Sequence, residues 1–281
     1  MLSNEQSRDT RALLTLLCIT FMQLLVTACT PPSPEAFYRA TKQFKLEKHQ
    51  IKGHTFPMIY YTRGLQPGID NLHVYLGGDG LPWLDIMTFA EDPTPRNPLV
   101  LELMNQDDSP ALFLGRPCYQ GFYDTPPCDY YYWTAGRYSP EVVNNMRDAI
   151  LQLVKKYNVK NLTLIGFSGG GALATLLAND LHQTTTVVTI AGLLDTTAWT
   201  ELHNYSPLNG SLNPVEQAPL KKHIRQIHLT GNRDENIPAS IIRDFLDKQY
   251  KVETLYFEQA DHACCWKKYW PRVLKKIKKQ D

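Results

Sequence analysis

The chain lacks a charge of either sign in excess: 29 Lys and Arg stand against 28 Asp and Glu, for a net charge of +1. Nothing global therefore points to a nucleic-acid partner. Internal repeats are missing, which excludes architectures built by stacking one small unit. No C-x-x-C spacing accompanies the cysteines, which argues against a zinc site, and neither a metal nor a cofactor is expected. The apolar run Ala12 to Thr27 is short for a membrane span. With 281 residues of ordinary globular composition, the chain is long enough for one α/β domain with a sizeable core.

Arg8 and Arg11 precede the apolar run and small residues follow it, the arrangement of a secretory signal. Val26-Thr27-Ala28-Cys29 resembles the bacterial lipobox, which implies removal of residues 1–28 and lipidation of Cys29. An uncleaved membrane anchor is the alternative. Thr30 follows Cys29 where an Asp would favour inner-membrane retention. The resemblance to Gram-negative lipoproteins thus implies a cell-envelope protein anchored in the outer membrane. Residues 29–36 read as a short, stiff, Pro-rich tether, and residues 37–281 as the folded domain. Export places Cys118, Cys128, Cys264 and Cys265 in an oxidising compartment. Cys118 and Cys128 are near in sequence. Cys264 and Cys265 are adjacent, so bonding to each other requires distorted geometry, and cross-pairing stays open.

The stretch that organises the domain is Asn161 to Ala178 (NLTLIGFSGGGALATLLA). A buried-strand pattern runs into Gly166-Phe167-Ser168-Gly169-Gly170 and then into Ala/Leu-rich helix-forming sequence. A G-x-S-x-G turn in that context forces its serine into a strained, exposed position, which marks Ser168 as a candidate nucleophile. The helix start at Gly169 offers free N–H groups that stabilise an oxyanion.

Around this stretch strand and helix patterns alternate. Strands are expected at Thr55–Thr62, Leu72–Leu76, Ala111–Leu114, Leu162–Ile165, Thr185–Ile190, Ile224–Leu229 and Val252–Phe257. Helices are expected at Asn97–Asn105, Ser139–Tyr157, from Ala172 to near His182, Pro238–Tyr250 and Trp266–Lys279. This order predicts a mostly parallel sheet covered on both faces, with ligands at the carboxyl ends of its strands. There Asp234 follows one strand and His262 the next, so the chain order Ser168, Asp234, His262 supplies nucleophile, acid and base. Asp195 is the competing acid, and Asp261 reads as a loop residue. Gly77-Gly78-Asp79-Gly80, after the strand ending at Leu76, is the expected source of a second oxyanion donor, Gly78 or Asp79, beside Gly169.

The elbow GFSGGG, the turn YLGGDG, the loop GNRDENIP and the terminal DH together resemble the α/β-hydrolase superfamily from about Thr55 onward. The stretches RPC…C…YWT…RYSPEVV and PLNGSLNP are similar to those of exported bacterial hydrolases of unassigned substrate. The turn departs from the HGGG pattern, with Leu76 in place of the leading His. The resemblance implies a serine hydrolase acting on small esters, thioesters or other acyl substrates. An amidase, peptidase or acyltransferase on the same triad, or a non-catalytic surface lipoprotein, are the other readings. The segment between Ile190 and Ile224 is too short for a large lid. The aromatic loop with Tyr119, Phe122, Tyr123 and Tyr130 to Trp133 either walls a pocket or packs on the core.

Overall fold

The computed structural model describes residues 33–279, so the signal segment, Cys29 and most of the tether lie outside the described residues. Helix α1 (Glu35–Gln43) leads into strands β1 (Glu47–Lys52), β2 (Pro57–Thr62) and β3 (Asn71–Leu76). There follow α2 (Leu99–Asn105), β4 (Ala111–Leu114), α3 (Pro140–Tyr157), β5 (Asn161–Phe167), α4 (Gly169–Ala178) and β6 (Thr184–Ile190). The chain continues through α5 (Thr196–Leu202), β7 (Arg225–Gly231), α6 (Arg243–Asp247), β8 (Val252–Phe257) and α7 (Trp266–Lys278).

The strands form one eight-stranded sheet in the order β1-β2-β4-β3-β5-β6-β7-β8. β1 and β2 are antiparallel to their neighbours and the rest run parallel, as the alternation predicts. The parallel strands β3 to β7 are almost continuously buried because helices cover both faces. On one face α3 and α4 pack Val142, Met146, Ile150, Leu173 and Leu177 against the sheet. On the other, α1, α2 and α7 contribute Phe37, Leu101, Met104, Trp266 and Trp270.

α3 begins where Ser139 Oγ accepts the Val142 N–H at 3.3 Å, with Pro140 at the first helical position, and ends at left-handed Asn158. Gly166 is required by close approach: a Cβ there would stand 2.0 Å from the Gly170 carbonyl oxygen, so strand and helix meet backbone to backbone.

Three differences from expectation have local causes. Glu35 and Ala36 belong to α1 rather than to a tether, because Phe37 and Ala40 bury one face of that helix. β1 (EKHQIK) is a polar edge strand held by its ladder to β2, and it carries no apolar signal. The helix expected over Pro238–Tyr250 shrinks to α6, since Ile241 N–H bonds back to Pro238 in a three-residue turn through adjacent β-branched isoleucines. Cys118 pairs with Cys128, and Cys264 pairs with Cys265 despite the geometric argument against adjacent pairing. Among the described residues no helix is long and apolar enough to cross a membrane.

Candidate active site

Sheet register assembles the site. Leu76 pairs with Gly166, which sets the Gly77–Gly80 turn beside Phe167 and Ser168. Phe167 pairs with Ile190, Ile190 with Leu229, and Gly231 with Phe257, so the loops after β7 and β8 open at the same edge. Ser168 stands at φ 53° and ψ −123°, a strained conformation for a residue with a side chain, fixed by its N–H to the Ile190 carbonyl at 2.9 Å. Its hydroxyl makes no capping bond to α4 and points to solvent-accessible space.

There Ser168 Oγ lies 3.0 Å from His262 Nε2, and His262 Nδ1 lies 3.0 Å from Asp234 Oδ2. Asp234 is acceptor-only when ionised, so Nδ1 carries the proton and donates, leaving Nε2 to accept from the serine. The other oxygen of Asp234 accepts the N–H groups of Asn236 and Ile237 at 3.0 and 2.8 Å, which fixes the carboxylate in a fully buried position. His262 is held by its own carbonyl, which accepts Trp266 Nε1–H at 3.0 Å, and by the Phe167 ring 5.2 Å away.

Asp195, the competing acid, is bonded elsewhere than to His262. Its carboxylate caps α5, accepting the N–H groups of Thr197 and Ala198 and the Asn213 side chain at 3.0–3.1 Å. Asp261 likewise turns onto the N–H groups of Ala263 and Cys264. Among the described residues no group of His, Cys, Asp and Glu could hold a metal ion.

The Gly78 Cα lies close enough to Ser168 that a Cβ there would meet the serine Cβ at 3.2 Å. Among the described residues neither Gly78 nor Asp79 N–H is taken by another backbone or side-chain acceptor. What holds this turn was not anticipated from the sequence. The Asp79 carboxylate is gripped by Arg116 and Arg137, each at 2.8 Å, and by the Tyr138 hydroxyl at 2.6 and 2.8 Å. Tyr119 donates to the Asp79 carbonyl at 2.9 Å, and Arg116 also reaches the Gly77 carbonyl. Burial alone would raise the Asp79 carboxyl, but the two guanidinium groups and the tyrosine hydroxyl outweigh it and hold it at about 2. Burial pushes the Tyr119 hydroxyl up to about 12 and raises Tyr138 as well, so both remain donors.

The cluster also touches the other expected donor. A Cβ on Gly169 would lie 1.9 Å from Asp79 Oδ1 and 2.3 Å from the Tyr138 hydroxyl. The carboxylate, largely but not fully covered, therefore braces the Gly78–Asp79 turn and the start of α4 against each other. Two arginines against one aspartate leave a local positive charge beside the Gly78–Asp79 turn, in the sense that stabilises a developing oxyanion. The sequence signal was RPC…RYS, legible as a shared stretch but not as an ion cluster.

Ser168, His262, Gly78 and Asp79 open onto a cavity of about 1090 Å³. Its walls include Phe37, Trp83, Phe89, Tyr130, Trp199 and Tyr205, so aromatic rings from four separated segments meet there. Both readings of the aromatic loop hold, for different residues. Tyr130 and Tyr131 line the cavity, whereas Tyr119 and Trp133 pack with Phe56 around the Cys118–Cys128 bridge.

Comparison with known proteins gives a match to the family described as Serine hydrolase (FSH1) over residues 97–269. No curated protein sequence matches the chain significantly. Among solved structures, an esterase from Pyrococcus furiosus is similar with a TM-score of 0.59 at 15% identity, covering 84% of this chain and 91% of its own. A structure described as a membrane phospholipase A, a bacterial virulence factor, is similar with a TM-score of 0.54 at 14% identity, covering 96% and 100%. A carboxylesterase from Bacillus subtilis is similar with a TM-score of 0.52 at 9% identity, covering 87% and 96%. These likenesses share the α/β-hydrolase fold.

Proposed function

Because the chain belongs to the serine hydrolase (FSH1) family, we propose that it cleaves carboxylic esters or thioesters by acyl transfer to Ser168. The observation that carries this reading is the unbroken hydrogen-bond chain from Asp234 through His262 to the Ser168 hydroxyl. His262 Nε2 takes the hydroxyl proton as Oγ attacks the carbonyl carbon, and Asp234 stabilises the imidazolium and its tautomer. The N–H groups of Gly169 and of Gly78 or Asp79 receive the oxyanion, each donor contributing about 3–4 kcal/mol to the transition state. His262 then protonates the leaving alcohol or thiol, and water, activated in the same way, releases the acid. The aromatic cavity beside the serine suits an apolar acyl or alcohol group. The esterase and phospholipase names of the structural relatives agree with an ester substrate.

For place, we propose that the protein works at the cell envelope, held by lipid on Cys29, a reading supported by the likeness of Val26-Thr27-Ala28-Cys29 to a lipobox. The test of chemistry is labelling by a fluorophosphonate probe, abolished in Ser168→Ala, followed by p-nitrophenyl esters against peptide anilides. Labelling that persists in Ser168→Ala, or anilides cleaved faster than esters, would overturn it. Incorporation of labelled fatty acid, lost in Cys29→Ala, tests the anchor.

A further inference from the structure

The segment Leu81 to Ala90 (LPWLDIMTFA) forms a closed hairpin at the rim of the cavity. Trp83 bridges Phe89, Leu84 N–H bonds the Thr88 carbonyl at 2.8 Å, and Ala90 N–H bonds the Pro82 carbonyl at 3.0 Å. The Asp85 carboxylate accepts the N–H groups of Met87 and Thr88 at 2.8 and 2.9 Å, which closes the tip. At the base, Trp83 and Phe89 rings lie 4.3 Å apart, and Phe89 stacks on Tyr130 at 4.5 Å. Trp133 Nε1 holds the Ala90 carbonyl at 3.1 Å.

This well-braced hairpin presents apolar side chains to water at its tip. Ile86 is 92% and Met87 82% exposed, Leu84 is exposed beside them on the hairpin, and Tyr130 and Tyr205, which line the cavity with Ile86, are exposed too. Large apolar side chains left in water on a hydrogen-bonded support mark a surface that something apolar covers. Two observations say what that is. The rim combines aliphatic tip residues with Trp and Tyr rings, the composition that sits at a lipid headgroup boundary. The proposed anchor at Cys29 also precedes Pro34 by so few residues that its covalent reach is at most about 18 Å. α1, which starts there, contributes Phe37 to the cavity wall.

We propose that the Leu84–Met87 tip inserts into the lipid bilayer surface, so that the cavity mouth faces the membrane and Ser168 takes its acyl ester from a membrane lipid. The inference rests on the ester-hydrolase reading and deepens it to a substrate class. Asp85, whose carboxyl the Met87 N–H keeps below the usual carboxylate range, remains at headgroup level with its charge turned onto the loop backbone.

The test uses the full chain reconstituted in phosphatidylcholine vesicles, with two substrates. One is a phosphatidylcholine bearing a fluorogenic acyl chain; the other is soluble p-nitrophenyl butyrate. In Met87→Asp the rate on the bilayer ester is expected to fall at least about ten-fold, the factor for losing burial of one Met side chain. The soluble ester rate stays within about two-fold, since Met87 is exposed and does not line the cavity. In Met87→Trp, bromine-labelled phosphatidylcholine is expected to quench more fluorescence than in the unaltered chain. An unchanged bilayer rate with no added quenching overturns the docking while soluble-ester cleavage leaves the hydrolase reading intact. Quenching without cleavage of either ester supports docking and sinks the hydrolase reading instead. A detergent-solubilised dimer that Met87→Asp converts to monomer, with the bilayer rate unmoved, assigns the tip to a second copy of the chain and overturns the proposal.

Discussion

Replacing Asp79 by Asn tests whether its ion cluster with the buried Arg116 and Arg137 braces the Gly78–Asp79 turn. The substitution keeps the shape of the side chain and removes its charge, leaving Arg116 and Arg137 buried with no anion between them. Lowering of the Asp79 carboxyl from the ordinary 3.8 to about 2 corresponds to about 2–3 kcal/mol of stability at neutral pH. Stranding two guanidinium groups costs more than losing that difference, and about 3–5 kcal/mol is expected for a broken buried pair. Among the described residues Arg116 Nε and Nη1 already lack partners, so the cluster has no spare acceptor to substitute. For a domain of this size each kcal/mol moves Tm by about 2–4 °C, giving a fall of about 6–20 °C by calorimetry.

The pH dependence has a definite sign. The carboxyl is depressed in the folded state, so its contribution is complete above the unfolded value near 3.8 and is lost as pH falls through about 2. The gap in Tm between the unaltered protein and Asp79→Asn should therefore be full above about pH 4 and narrow toward pH 2. Because the same carboxylate abuts Gly169, the turn should also shift against the elbow, lowering kcat on a soluble ester about 100-fold with KM little changed. A Tm within about 2 °C of the unaltered protein, together with an unaltered kcat, would refute the bracing argument.

Gly169→Ala places a Cβ 1.9 Å from Asp79 Oδ1, so it should reduce kcat by about 100-fold or more in steady-state assays while far-ultraviolet circular dichroism keeps its native form. Asp234→Asn presents an amide N–H to His262 Nδ1 and enforces the wrong tautomer, so kcat should fall about 10⁴-fold with KM preserved. Asp195→Ala removes the cap of α5 and the acceptor of the Asn213 side chain, so Tm should fall by about 2–6 °C and kcat on a soluble ester should stay unchanged. A collapse of activity there without loss of stability would move the acid to the neighbouring strand. Converting Cys118 and Cys128 together to Ser should destabilise the domain by about 2–3 kcal/mol in denaturant titration, because the bridge closes a loop of sequence separation 10 beneath Tyr119 and Trp133.

Local patterns carried most of the frame. Buried aliphatic runs at Leu162–Ile165 and Ala111–Leu114 identify parallel strands whatever surrounds them, because a strand covered on both faces must be apolar throughout. Ser139-Pro140 marks the start of α3 through capping chemistry alone. The glycines around Ser168 announce a bend that other residues would block. Once strand order is known to place every β-to-α loop at one edge, Asp234 and His262 become legible as partners from chain order.

Other features depended on residues distant in sequence. β1 carries no apolar alternation, since an edge strand is stabilised by hydrogen bonds to β2 rather than by burial. Asp195 and Asp234 both follow strands and precede helices, and only the direction of each carboxylate separates a helix cap from a partner of His262. The Asp79 cluster joins Arg116, Tyr119, Arg137 and Tyr138 to a glycine turn far from them in the chain. An ion pair leaves no periodic trace in sequence. The cavity and its apolar rim likewise draw on segments from Phe37 to Tyr205, and composition does not say which aromatic rings face a ligand and which face the core. Sequence determined the buried strands, the elbow and the chain order of Ser168, Asp234 and His262, because each is a short-range property of the chain. Tertiary structure decided which carboxylate meets the imidazole, what braces the oxyanion turn and which apolar residues remain in water, because each is set by packing between segments that meet only in the fold.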